Sequence, residues 1–120
     1  MGARYIKVSV IYLLIGTVAG LVMGSAQAFE YTSAHAHVNL LGWASLAIIG
    51  VIYKAYPEAA NTSLAQTQFW LHNFGLPVLV VSMILFANDK ESLGIPFAAV
   101  GGLLVIASVV LFIVNVFKRL

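Results

Sequence analysis

The stretch "YTSAHAHVNLLGW", Tyr31 to Trp43, sets two histidines two residues apart at the start of a long apolar run. Toward the C-terminus the run meets no charged side chain until Lys54, and toward the N-terminus none until Glu30. An uncharged stretch of that length covers the ~20 residues that a helix needs to cross a hydrocarbon core. Ionisable groups inside such a segment are rare and point to function when they lie deep. The same pattern extends over the whole chain. Its 120 residues are 62% hydrophobic and 8% charged, with a mean hydropathy of +1.00, whereas soluble domains carry roughly a quarter charged residues. The composition is that of a membrane protein.

Four spans are expected, over Tyr5–Gln27, Thr32–Ala55, Ala65–Ala87 and Ile95–Phe117. The linkers are short, so residues 1–120 read as one all-α, four-helix membrane domain. If the spans alternate, Arg4, Lys7, Lys54, Lys118 and Arg119 share one side and only Lys90 lies on the other, with Glu30, Asp89 and Glu91. The positive-inside bias then places both termini in the cytoplasm. With so few charges, a pI near 9.1 reflects this anchoring and does not indicate nucleic-acid binding. No cysteine is present, which excludes disulfides and thiolate metal sites. The N-terminal stretch ending in Ala26-Gln27-Ala28 also has the outline of a signal peptide. The Val8–Ser25 run is as long as a true span, and a retained helix is expected.

Gly16, Gly20 and Gly24 give the first span a small residue every four positions, a flat face suited to close helix packing. Gly101-Gly102 and Ser108 suggest the same in the fourth. Thr32 or Ser33 is expected to cap the second helix, Pro57 to end it, and Gly75 with Pro77 to kink the third. Tyr53, Lys54 and Tyr56 read as interface anchors, and Gln66 and Gln68 as polar contacts at a helix start.

At about 100° per residue, His35 and His37 leave a regular helix about 200° apart. They cannot easily chelate one metal ion, but each can face a different cavity. A neutral imidazole is a good axial ligand for haem iron. Asn39 and Gly42 follow His35 on its face, and Leu41 and Ala44 follow His37. The small residues leave room for a flat ligand along the helix. A second reading stays open, in which both histidines lie about one turn from the helix end and reach the membrane interface.

The run "AHAHVNLLGWASLAIIGVIYKAYP", Ala34 to Pro57, resembles a helix of the catalytic subunit of haem-copper oxidases, nitric oxide reductases included. "QTQFWLHNFGLPVL", Gln66 to Leu79, is a fainter likeness to other helices there. In that family a His-x-His pair near the outer end of a helix ligates two haems, one from each face. The resemblance thus implies haem b on His35 and His37, with Asn39, Gly42 and Ala44 beside it, and possible copper. It also implies a prokaryotic cytoplasmic-membrane setting and a redox partner. The family subunit has twelve helices in three arcs of four, so one four-helix chain implies a threefold homotrimer surrounded by lipid.

Departures from the family are clear. Its copper site takes three histidines, and its haem propionates are held by paired arginines absent here; Lys90 is the one basic residue in the corresponding loop. The third histidine, His72, lies toward the other membrane face. It reads either as a hydrogen-bonded core histidine or as a proton-relay or accessory metal residue. Three function classes follow: electron transfer or another haem-based redox role, a small oxygen- or nitric-oxide-reductase-like oxidoreductase with haem and copper, and a haem-free helical subunit of a membrane complex.

Overall fold

A computed structural model describes all residues from Met1 to Leu120. Helix α1 runs Gly2–Ala26, α2 occupies Phe29–Ala55, a single turn α3 covers Pro57–Ala60, α4 runs Ser63–Ala87 and α5 Glu91–Arg119. The four long helices are each long and apolar enough to cross a membrane, and the protein is a multi-pass membrane protein. All four begin two to four residues ahead of the expected spans, because polar residues such as Ser63 and Glu91 suit a first turn outside the hydrocarbon.

Helix α2 is not regular. It starts with a 3₁₀ turn at Phe29–Tyr31, continues as α-helix over Thr32–His37, widens to a π-helix at Val38–Ala44, and returns to α-helix over Ser45–Ala55. Neither Thr32 nor Ser33 caps it with a side chain; the Thr32 hydroxyl instead donates to the Phe29 carbonyl, 2.6 Å away. At α4 the cap is Thr62, whose Oγ1 accepts from the Ala65 amide at 3.1 Å. Helix α4 continues unbroken through Pro77.

Beside a few large side chains such as Tyr5, Leu46, Tyr53 and Leu76, much of what is buried is small or polar. Ser9, Gln68, His72, Ser82, Ser108 and Asn115 are each at most 1% exposed, while Leu14, Leu21, Leu103 and Phe117 are more than 60% exposed. This inverts the soluble pattern. Lipid gives large apolar side chains no reason to hide, so close backbone approach and internal hydrogen bonds carry the packing. In α5 the buried positions Gly94, Gly101, Ser108 and Asn115 recur every seven residues, as do Gln68, Gly75 and Ser82 in α4. A seven-residue repeat keeps one seam of a helix against its partner.

Two antiparallel hairpins result, α1–α2 and α4–α5. Gly75 and Gly101 let α4 and α5 meet backbone to backbone: a Cβ on Gly101 would fall on the Leu79 amide nitrogen and 2.8 Å from its Cα. The hairpins meet through Tyr31 and Asn88 at one end and through an aromatic cluster at the end that carries both termini. There Tyr5, Tyr53, Phe69 and Phe112 pack edge to face, with ring centroids 5.1–5.7 Å apart. The molecule measures 45 × 29 × 16 Å, a slab nearly twice as wide as it is thick.

Candidate functional site

His35 and His37 sit in the last α-helical turn before the π-helix, at the end of the molecule opposite the termini. Both are half-buried. The His37 Nδ1 lies 2.9 Å from the Ser33 carbonyl. A carbonyl only accepts, so Nδ1 carries the proton and a neutral ring presents the bare lone pair of Nε2. That is the state an axial imidazole ligand needs, and a backbone carbonyl on the far nitrogen is the usual way of fixing it.

His35 is held differently. The Asn39 amide nitrogen is 3.1 Å from the His35 carbonyl and 3.2 Å from each ring nitrogen. A nitrogen equidistant from both lies over the ring face, since in the ring plane it would collide with Cε1. Neither ring nitrogen is therefore taken in its own plane. The Cε1–Nε2 edge points at α1, where a Cβ on Gly20 would come within 2.8 Å of Cε1 and 3.3 Å of Nε2. Gly16 receives the Asn39 carboxamide in the same way, its Cβ position lying 2.8 Å from Cγ. Gly16 and Gly20 of α1 thus accept side chains of α2 within one chain, while Gly24, with nothing within 4 Å, stays open.

Gly42 faces Tyr12, with the ring Cγ 2.6 Å from where a Cβ would stand, so this notch is filled by the protein's own tyrosine. Ala44 is half-buried at the end of the π-helix. Beside Val38, a membrane-facing apolar cleft of about 490 Å³ opens between Ile11 and Ile15 of α1 and Pro77 and Val81 of α4.

His72 contacts the π turn that follows His37 and neither histidine itself. It is 1% exposed, its Nε2 lies 2.8 Å from the Leu41 carbonyl and its Nδ1 3.3 Å from Ser108 Oγ. The structure does not bring His72 to His35 or His37, and it contains no group of three or more His, Cys, Asp or Glu placed to hold a metal ion.

Sequence reasoning missed a third polar centre. Tyr53 and Gln68, read as an interface anchor and a helix-start contact, are instead buried and bonded to each other, the Tyr53 hydroxyl donating to Gln68 Oε1. Asn115 donates to the Tyr53 oxygen at 3.0 Å and to the Ala59 carbonyl at 2.8 Å, while Tyr5 donates to the Ala65 carbonyl at 2.9 Å. The seven-residue spacing of Gly101, Ser108 and Asn115 was the available signal. Lys54 and Tyr56 are exposed, as is Gln66.

Comparison with known proteins places the site in context. No protein-family model matches the chain, and no solved structure matches it. Over 92 residues the chain is 26% identical to the cbb3-type cytochrome c oxidase subunit CcoN1 of Stutzerimonas stutzeri. The match takes in 67% of this chain and 19% of the length of that relative. The chain is therefore similar to a minor part of an oxidase subunit.

Proposed function

We propose that this chain is a membrane haem b protein that passes single electrons, related to one arc of an oxidase catalytic subunit and assembled as a homotrimer. The observation that carries the reading is the His37 ring, held by the Ser33 carbonyl so that Nε2 is bare. The donor set fits haem in part: His37 is prepared as a ligand, whereas the Cε1–Nε2 edge of His35 packs against Gly20 of α1 and the ring would have to turn away from it to reach an iron. A haem with two axial imidazoles supplies one-electron transfer and has no open site for a gas. The likeness to the oxidase subunit supports the redox class.

The two rings leave one helix about 200° apart, so one iron cannot take both from the same chain. A second copy is then needed to complete each axial pair, giving one haem per protomer. The slab shape suits one arc of a larger ring, and the open faces of Gly24 and Gly102 are available for contact between copies. Gly16, Gly20 and Gly101 are used inside the chain and lend the trimer no support. Arg4, Lys7, Lys54, Lys118 and Arg119 share the terminal end, which supports cytoplasmic termini in a prokaryotic inner membrane. The fit is incomplete in a second respect: Tyr12 fills the Gly42 face, so this notch would not receive a flat ligand.

The reduced-minus-oxidised absorption spectrum of the purified chain tests this. The expected result is a six-coordinate haem spectrum that ignores carbon monoxide and is lost in both His35→Ala and His37→Ala, with a trimer by native mass spectrometry. A carbon monoxide-sensitive spectrum favours the reductase-like alternative with copper. Full haem loading in both variants, or a haem-loaded monomer, sinks the shared-ligand scheme.

A further inference from the structure

The π-helix of α2 begins one residue after His37. A π turn takes an extra residue, is rare in helices, and is frequent at functional sites. Two side chains take successive carbonyls of this turn. Ser45 Oγ donates to the Leu40 carbonyl at 2.7 Å, and His72 Nε2 reaches the Leu41 carbonyl at 2.8 Å from a different helix. The carbonyl fixes the proton on Nε2. His72 is in turn backed by Ser108 of α5, whose hydroxyl lies 2.6 Å from the Val105 carbonyl. One buried imidazole therefore connects the α4–α5 hairpin to the irregular turn of the histidine-bearing helix.

The register of α2 depends on that turn. Its inner part is anchored by Leu46 and Tyr53, at most 1% exposed. Exchanging the π turn for α turns redistributes one residue, about 100° of helix rotation, and everything beyond it rotates relative to the anchor. His35 and His37 lie beyond it. We propose that His72 is a positioning residue: by holding the Leu41 carbonyl it keeps the π turn and so sets the directions in which His35 and His37 point. Its consequence for a bound haem rests on the reading given above; its consequence for the turn does not.

The test uses Trp43, which lies inside the π turn. Trp70→Phe leaves it as the sole tryptophan of the full chain. In that background His72→Leu is expected to shift the Trp43 emission maximum. His72→Gln, whose amide can still donate to the carbonyl, is expected to restore it. In the haem-loaded protein the electron paramagnetic resonance signature of the axial pair should change with leucine and return with glutamine. If His72→Leu yields no folded protein, His72→Asn decides: its amide is too short to reach Leu41, so an unshifted Trp43 overturns the proposal. Equal shifts for leucine and glutamine also overturn it. A protein with no haem but with the Trp43 shift and its rescue refutes the haem reading and leaves the positioning role standing.

Discussion

The two hairpins both use glycine to bring helices together, yet they spend the space differently. Along α4–α5, Gly75 and Gly101 admit backbone: the Gly75 Cβ position lies 3.1 Å from the Gly101 carbonyl oxygen and 3.0 Å from the Val105 amide. Along α1–α2, backbone contact is confined to the terminal end, where Gly2 and Gly50 meet each other's carbonyls at 2.8 and 3.0 Å. Further along, Gly42 admits the Tyr12 ring, Gly16 the Asn39 carboxamide and Gly20 the His35 imidazole. A backbone seam has no rotamers, so it is fixed once formed. A seam of glycine against side chain keeps torsional freedom. The His35 imidazole stands in the second kind.

Gly101 puts that contrast to its strongest test. Gly101→Val should cost about 3 kcal/mol, because added atoms meet the Leu79 backbone and a packed seam cannot yield. Gly102→Val, one residue away with open space, should change stability by less than about 0.5 kcal/mol. Equal losses in detergent unfolding would show that the α4–α5 seam is not backbone-limited.

A smaller loss is expected at the junction of the hairpins. Asn115→Leu removes the donor to the Tyr53 oxygen and the Ala59 carbonyl and should destabilise by about 1–2 kcal/mol. Polar bonds between membrane helices average nearer 0.6 kcal/mol, but this one serves two buried acceptors. Tyr53→Phe combined with Asn115→Leu should cost less than the sum of the single changes; strict additivity would separate the two groups energetically.

The smallest effect on stability is expected in the side-chain seam, where Gly20→Ala should cost less than about 1 kcal/mol, since the His35 ring can turn aside and alanine favours the helix. Haem content should fall in this variant and stay unchanged in Gly24→Ala, whose Cβ meets nothing. Unfolding of Gly20→Ala comparable to that of Gly101→Val would erase the distinction between the seams.

Much of this molecule is dictated by the order of residues alone. Four uninterrupted apolar runs must become helices in lipid, because only a helix satisfies its backbone within one segment, and the charge pattern separates the two ends of the spans. The i, i+2 spacing of His35 and His37 forces their rings apart, since both lie in a regular α turn. The remaining outcomes needed the tertiary structure. The extra residue of the π turn depends on His72 of another helix and on Ser45, and an apolar run carries no periodic signal for it. Whether a glycine faces backbone, ring, carboxamide or nothing depends on the rotation of the neighbouring helix, which hydrophobicity does not set in a bilayer where nearly every face is apolar. Tyr53 and Gln68 went inward for the same reason. In lipid a polar group is placed by the partner that satisfies it, and that partner is brought close only when the helices have packed.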